Sequence, residues 1–242
     1  MPCRMDDLLQ LAARRGWYHT LELPGLTTSG LFDLRPYVRH YGLPASLEGK
    51  RVLEIGTWDG FWAFECERRG AEEVVALDLD DEGDLDWPPR RRPSAFPEAP
   101  RGAGFHLAAK LLDSRVRRVV RSIYDAAPEE LGTFDLVLCG SVLIHLRDQL
   151  LALERIFALT APGGLFVSAE EYPRSLEAIP FPVARYRADR DAAVVFWQPS
   201  RRAWRRMLGY AGFASVREVA RFDMRSSEGW KVRHAVNHAQ RS

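Results

Sequence analysis

From residue 50 to residue 170, the chain alternates short apolar runs with segments of helical pattern. The apolar runs predict strands at 51–55, 73–79, 116–124, 134–140 and 163–170. The segments between them predict helices at 60–69, 104–113, 128–132 and 146–160. Alternation of this kind favours a mostly parallel sheet with helices on both faces. The sequence therefore predicts an α/β, Rossmann-like fold.

The length of 242 residues and the 46% hydrophobic content suit one full core. We predict an N-terminal helical and aromatic segment over residues 1–48, acting as a lid, and a main domain over residues 49–242. In the N-terminal part, residues 5–15 have the pattern of a helix and residues 17–30 that of an ordered loop, and residues 37–41 predict another short helix.

Two segments interrupt the main domain. Residues 80–102 combine prolines with charged residues, which predicts a flexible insertion, with a mobile lid over the ligand as the alternative. Residues 171–198 contain prolines and aromatic residues without a clear period, and we predict that they form a substrate cap. A helix that Ser200 can cap and two strands follow.

Composition narrows the class of protein. The formal net charge of +1 gives no overall basic field that would indicate a nucleic-acid partner. Cys3, Cys66 and Cys139 are far apart, which is typical of reduced thiols in a cytoplasmic protein. No apolar run approaches the roughly 20 residues that span a bilayer, so we predict no membrane partner. His234 and His238 lack a third ligand, and no metal site is predicted.

The first strand ends in a glycine turn, "EIGTWDG", which includes Glu54, Gly56 and Gly60. Glycine lets a backbone turn tightly and approach a ligand closely. The amides at the start of the following helix can receive a carboxylate or a phosphate. The turn therefore predicts a binding site at the carboxyl end of the strand.

Acidic residues follow the next two strands. Asp78 ends the second strand, where a carboxylate can accept hydrogen bonds from ribose hydroxyls, and Asp125 follows the third, where an acid can accept one from an adenine amino group. A nicotinamide dinucleotide and S-adenosylmethionine both suit a ribose-binding acid. The dinucleotide fingerprint G-x-G-x-x-G is absent, since Trp58 stands where its middle glycine is expected.

The acid-then-glycine turn resembles the first motif of class I S-adenosylmethionine-dependent methyltransferases. "VVALDL", "RSIYD", "FDLVLCGSVLIHL" and "LTAPGGLFVS" resemble their later motifs, in order, over roughly residues 45–240. The resemblance implies S-adenosylmethionine as cofactor and a seven-stranded sheet whose last strand is antiparallel. It also implies cofactor contacts from Glu54, Gly56, Thr57, Trp58, Gly60, Asp78, Leu79, Tyr124, Asp125 and Ser141.

A narrower resemblance joins the chain to shorter relatives of the tRNA wobble-uridine carboxymethyltransferase family. It rests on "VLIH" at 142–145 and "VFWQPS" at 195–200. That family has a tyrosine, which helps to hold the extra carboxylate of its cofactor, where this chain has Ile144. Isoleucine donates no hydrogen bond, so the departure favours ordinary S-adenosylmethionine and disfavours wobble tRNA.

Three residues are candidates for catalysis. His145 lies just past the fourth strand, and an imidazole titrates near neutral pH, so it is the first candidate for a general base. Its alternative role is a hydrogen-bonded wall of the pocket. Tyr18, beside His19, lies in the aromatic N-terminal loop, with core packing as its alternative. Tyr172 follows the fifth strand, as does Arg185, which is either a ligand for an anionic acceptor or a solvated side chain.

The function predicted is methyl transfer from S-adenosylmethionine to a small-molecule acceptor, with oxygen as the first choice of acceptor atom and nitrogen as the second. One alternative is a tRNA uridine-modifying enzyme, for which nucleic acid is the partner. Another is a cyclase or lyase that consumes S-adenosylmethionine, and a third is a binding-only regulatory protein. The sequence leaves a homodimer open.

Overall fold

The computed structural model of the protein describes residues 5–96, 98–188 and 194–242. The N-terminal segment begins with helix α1 (Met5–Arg14), which confirms the predicted helix. Four short strands follow: β1 (Trp17–His19), β2 (Glu22–Leu23), β3 (Leu26–Thr27) and β4 (Gly30–Phe32). A 3₁₀ helix, Arg35–Tyr41, then covers the predicted helix at 37–41.

The prediction of a loop over residues 17–30 is wrong in part. β1 pairs in parallel with β4, and β2 pairs antiparallel with β3. The Thr28 hydroxyl accepts a hydrogen bond from the Leu21 amide at 2.8 Å and donates one to the His19 carbonyl at 3.0 Å. Strands of two or three residues are too short to show a period, and side-chain bonds to the backbone hold them in place.

The central sheet has seven strands in the order β12-β13-β9-β8-β5-β6-β7. They are β5 (Arg51–Ile55), β6 (Glu73–Asp78), β7 (Arg117–Val120), β8 (Phe134–Gly140), β9 (Thr160–Glu171), β12 (Ser215–Arg225) and β13 (Lys231–Gln240). β13 is antiparallel to both of its neighbours, β12 and β9, and the other pairings are parallel. The predicted α/β class and the antiparallel last strand are confirmed.

Helices cover both faces of this sheet. α2 (Phe61–Arg68) and α3 (Ala103–Leu112) pack with α1 on one face, and α4 (Pro128–Leu131), α5 (Gln149–Leu159) and α6 (Arg201–Tyr210) pack on the other. Successive side chains of a strand point to opposite faces of the sheet. In β5, Val52 packs in the core under α1, α2 and α3, and Leu53 and Ile55 pack in the core under α4, α5 and α6.

Side-chain caps shift several predicted boundaries. The predicted strand 116–124 shortens to β7 because the Ser122 hydroxyl accepts from the Tyr124 amide and starts a 3₁₀ helix, Ile123–Asp125. Helix α5 begins at Gln149, later than predicted, because Asp148 caps it through the Leu151 amide. Ser200 caps α6 through the Ala203 amide, as predicted.

The two interrupting segments contact the main domain. In residues 80–102, the Trp87 indole nitrogen donates to the Glu82 carbonyl at 2.6 Å, and Arg101 reaches the glycine turn. The flexibility of this segment stays a prediction. The predicted cap contains the hairpin of β10 (Ala184–Tyr186) and β11 (Trp197–Pro199), and its residues 189–193 lie outside the described part.

In the described ranges, none of the helices combines the length and the apolar character needed to cross a bilayer. Cys66 and Cys139 are buried free thiols, and Cys3 lies outside the described residues. His234 and His238 lie on strand β13, where the His238 ring bonds the Tyr41 carbonyl at 2.8 Å.

Candidate active site

The glycine turn after β5 lies at the centre of the sheet, where the order of strands reverses between β5 and β8. Gly56 has φ 77° and donates to the Leu77 carbonyl at 2.8 Å. A Cβ at Gly56 would lie 2.2 Å from a Val142 methyl carbon, and one at Gly60, with φ 93°, would lie 2.5 Å from the Phe64 ring. Both glycines are therefore required by the close approach of neighbouring segments.

Asp78 faces this turn from the end of β6. One of its carboxylate oxygens accepts the Trp58 amide at 2.7 Å, and the other accepts the Leu79 amide at 2.8 Å. The side chain is 9% exposed. Each oxygen keeps a lone pair, so the carboxylate can accept further hydrogen bonds. Asp78 thus fits its predicted role toward a ribose, and it also holds the turn.

Trp58 has a left-handed backbone, with φ 46°. Its indole stacks on Tyr18 with ring centroids 4.4 Å apart, and the Arg101 guanidinium lies 3.9 Å from its ring centroid. Arg101 also lies 4.0 Å from a carboxylate oxygen of Asp78. The N-terminal segment and residues 80–102 therefore both reach the turn through the Trp58 side chain.

Asp59 ties the N-terminal segment to the turn. It is fully buried, and one carboxylate oxygen accepts the Tyr18 amide at 2.6 Å and the His19 amide at 3.1 Å. The other oxygen has no hydrogen-bond partner among the described residues, and burial raises the pKa of this carboxyl. Asp59 was not among the predicted site residues, although it stands between the two predicted cofactor-contact residues Trp58 and Gly60.

Replacing Asp59 with alanine is expected to lower the free energy of unfolding by about 2–4 kcal/mol, because it leaves two backbone donors without an acceptor. Asp59→Asn keeps an oxygen acceptor and should lose less. Chemical denaturation measures both, with the exposed Glu72→Ala as control. Equal stabilities for Asp59→Ala and the control would show that the amides find other partners.

The remaining predicted contact residues lie around this turn and beyond it. Glu54 is buried at the end of β5, and burial raises its pKa to about 8. Thr57 is fully buried. The Tyr124 hydroxyl donates to Asp86 at 2.5 Å and accepts the Asp148 amide at 3.0 Å, whereas Asp125 is exposed.

Ser141 and the catalytic candidate His145 follow β8. Ser141 has φ 56°, and its hydroxyl shares a hydrogen bond of 2.6 Å with the His234 ring. His145 ends a 3₁₀ helix, Leu143–His145, and its Nδ1 donates to the Val194 carbonyl, which leaves Nε2 to accept a proton. Burial lowers the pKa of His145.

Tyr18 and Tyr172 have different surroundings. Burial, followed by the charge of Glu171, raises the pKa of Tyr18 to about 12, so its hydroxyl stays protonated. Arg101 is a charged neighbour of both Tyr18 and His145. Tyr172 instead packs its ring under Arg201, 5.4 Å from the guanidinium, and its amide bonds the Arg233 carbonyl at 3.1 Å. The charge of Arg101 thus acts on both Tyr18 and His145, whereas Tyr172 lies against Arg201.

A profile of the family described as "Methyltransferase domain" matches residues 33–218. The chain belongs to this methyltransferase family. The solved N-terminal domain of EvdMO1, which carries SAH, aligns with a TM-score of 0.67 at 17% identity, covering 98% of this chain and 95% of that one. Alignment with a didemethyltoxoflavin N1-methyltransferase of Burkholderia thailandensis gives a TM-score of 0.56 at 18% identity, over 86% and 78% of the two chains. These structures confirm the class I methyltransferase fold.

Curated relatives of the chain include an O-methyltransferase and a carboxymethyltransferase. A ubiquinone biosynthesis O-methyltransferase of Xanthomonas campestris is 32% identical over 51% of this chain and 44% of its own length. A tRNA U34 carboxymethyltransferase of Desulforapulum autotrophicum is 28% identical over 74% and 49%, respectively. The chain therefore spans about half the length of the curated relatives it matches. The recognition of a class I methyltransferase is confirmed, and the narrower resemblance stays a prediction.

The sequence analysis also missed two glutamates at the end of β9. Glu170 is fully buried, and its carboxylate accepts the Leu143 amide at 3.3 Å, which supports the 3₁₀ helix that carries His145. Glu171 is a neighbour of Tyr18, and burial raises its pKa to about 7. The pair of acids that ends the apolar run "GLFVSAEE" was the available signal.

Proposed function

We propose that this methyltransferase transfers a methyl group from S-adenosylmethionine to a small-molecule acceptor, at oxygen as first choice and at nitrogen as second. The Asp78 carboxylate is the observation that best supports this cofactor. Two backbone amides hold it against the glycine turn, at the point where the order of strands reverses. In open α/β sheets, ligands bind at this point. The SAH carried by the EvdMO1 domain supports the same cofactor.

The residues present fit this cofactor. Asp78 has free lone pairs for ribose hydroxyls, and Gly56 presents a backbone without a side chain. Trp58 and Tyr18 stack beside them and would shield a bound cofactor from water. When bound, S-adenosylmethionine supplies a methyl group activated by its sulfonium. The protein is then required to align the acceptor, exclude water and, for a hydroxyl acceptor, remove a proton.

We propose two candidate groups for taking that proton. His145 offers Nε2, but its lowered pKa makes it a weak base. Glu171 has a pKa of about 7, which lies close to the operating range of a general base. Glu171 is therefore the stronger candidate, and His145 becomes the second.

Replacing Glu171 with glutamine is expected to lower turnover by about 100-fold or more, because general bases contribute 10²–10⁴ in rate. The rise of wild-type activity with pH near 7 should disappear in this variant, while the dissociation constant for S-adenosylhomocysteine stays unchanged. Assays across pH with an acceptor found by screening, together with calorimetry, measure both effects. If His145→Gln abolishes turnover and Glu171→Gln does not, the roles are reversed.

The match to the tRNA U34 carboxymethyltransferase over 74% of the chain favours RNA modification as the second candidate. Ile144 argues for the small-molecule acceptor. Its side chain is 1% exposed and offers no polar atom to an added carboxylate.

Mass spectrometry of the purified protein incubated with S-adenosylmethionine tests the proposed reaction. Formation of S-adenosylhomocysteine only when small metabolites are added would support it. Turnover that requires tRNA would favour the RNA alternative. Methylthioadenosine formed without any acceptor would show that the protein cleaves the cofactor, and the proposal would be wrong.

A further inference from the structure

A cavity of about 290 Å³ lies past the carboxyl end of β9, beside the β10–β11 hairpin and strand β13. Glu171, the proposed base, is part of its lining. Basic residues provide much of the rest: Arg174, Arg185, Lys231 and Arg233. They face only two acids in the lining, Glu171 and Asp223, so the cavity carries an excess of positive charge.

Asp223 neutralises only one side of this cavity. It pairs with Arg233 at 2.8 Å and with Lys231 at 2.7 Å, so its single negative charge is shared between two cations. Arg174 forms no ion pair with another described residue. The positive charge that remains is therefore concentrated near Arg174 and Arg185.

Arg185 is held in a defined position without a charged partner among the described residues. Its guanidinium donates to the Gln198 side-chain oxygen across the hairpin at 2.6 Å. Its Nε is buried and has no acceptor among the described residues. A guanidinium fork matches a carboxylate or a phosphate, which can accept two parallel hydrogen bonds.

Glu171 connects this cavity to the transfer site. It lines the cavity, and its charge acts on Tyr18, which stacks on Trp58 of the glycine turn. The titratable and charged groups around Glu171 are Glu170 beside it on β9, Tyr18 on β1, Tyr172 and Arg174 after β9, Arg185 on β10, Asp223 on β12, and Lys231, Arg233 and the paired His234 on β13. A molecule anchored in the cavity would thus extend toward the carboxylate proposed to take its proton.

We propose that this cavity binds an anionic group of the methyl acceptor, a carboxylate or a phosphate, with Arg185 as its main ligand. The assignment of this anionic group to the methyl acceptor rests on the proposed function. It defines the substrate class as small molecules that carry a negative group at one end and a methylated hydroxyl or amine at the other.

Isothermal titration at constant ionic strength tests the cavity with two probes, inorganic phosphate and acetate. We expect saturable binding of at least one probe to the wild type, and the stronger probe identifies the anionic group. Arg185→Met should weaken that binding at least tenfold, and Arg185→Lys less. Arg205→Met, which removes an exposed arginine of α6, should leave it unchanged. A second measurement is the modification of Arg185 by phenylglyoxal, read by peptide mass mapping. The same probe should protect Arg185 from this modification.

Calorimetry with S-adenosylhomocysteine separates this proposal from the proposed function. If S-adenosylhomocysteine binds while neither probe binds the wild type, or if Arg185→Met and Arg205→Met have equal effects, the anion site is wrong and the methyltransferase proposal stands. If a probe binds through Arg185 while S-adenosylhomocysteine does not bind, the anion site stands and the proposed function fails.

Discussion

Asp78→Ala is expected to weaken binding of S-adenosylhomocysteine by about 100- to 1,000-fold, because hydrogen bonds to a charged group contribute about 1.5–3 kcal/mol each. The change removes the acceptor for ribose hydroxyls. It also leaves the amides of Trp58 and Leu79 without their carboxylate, so the glycine turn loses its support. Calorimetry on the folded variant measures the loss of affinity.

Two further variants sharpen this test. Asp78→Asn keeps an oxygen but loses the charge, and an intermediate affinity is expected. Asp84→Ala removes an exposed acid from the same region and should bind as the wild type does. Unchanged affinity in Asp78→Ala would place the cofactor elsewhere in the molecule.

The protein is expected to lose stability as the pH rises from about 6.5 to 8. Burial raises the pKa of Glu54 and of Glu170 to about 8 each, so both carboxyls stay protonated in the folded state across this range. The unfolded chain has already released these protons near pH 4.5, so it binds fewer protons than the folded chain. Rising pH therefore favours unfolding until both carboxyls ionise in the folded state.

Buried histidines act in the opposite direction at lower pH. Burial lowers the pKa of His19 to about 3 and that of His234 to about 4, so stability rises with pH up to the unfolded value of 6.5. Above it, only the carboxyls contribute. The two protons of Glu54 and Glu170 correspond to at most about 4 kcal/mol over this range, since one pKa unit is worth about 1.4 kcal/mol. Glu171, whose pKa burial raises to about 7, adds less than about 1 kcal/mol between pH 6.5 and 7.

Chemical denaturation at pH 6.5 and at pH 8, without cofactor, measures this difference. Glu54→Gln and Glu170→Gln should each reduce it, and the double variant should remove most of it. Glu72→Gln, which changes an exposed residue, is the control. A wild type equally stable at both pH values would show that the two carboxyls are ionised when the protein is folded.

The central fold was predictable because its strands obey simple periodic rules. The boundaries of β5 and β8 agree with the predicted strands at 51–55 and 134–140, since both are buried apolar runs that end at a change of composition. The N-terminal strands were not predictable, because they show no hydrophobic pattern. The Thr28 hydroxyl and the Asp59 carboxylate hold them through bonds to the backbone. Local patterns do not reveal bonds between residues 40 positions apart.

The residues of the candidate site also fall into a group that the sequence predicts and a group that it does not. Gly56, Gly60 and Asp78 lie in sequence motifs, so the sequence analysis found them and the structure brings them together. Arg101 lies in a segment without a motif, and Glu171 follows the last motif at the end of β9. Only the folded chain brings Arg101 to Trp58 and lets the charge of Glu171 act on Tyr18. The predicted cofactor contacts lie in motifs at strand ends, whereas the connections that vary between members of one fold carry no such motif.

The Asp59 contact has a consequence for the binding of ligands. One carboxylate holds both the turn that carries the predicted cofactor contacts and the segment that starts at Tyr18, so the stability of the turn and the docking of the segment are thermodynamically linked. A ligand that stabilises the turn also stabilises the docked N-terminal segment, and docking of the segment strengthens binding of that ligand by the same free energy. If the N-terminal segment acts as the predicted lid, this coupling would favour an ordered cycle in which the cofactor enters first and S-adenosylhomocysteine leaves last.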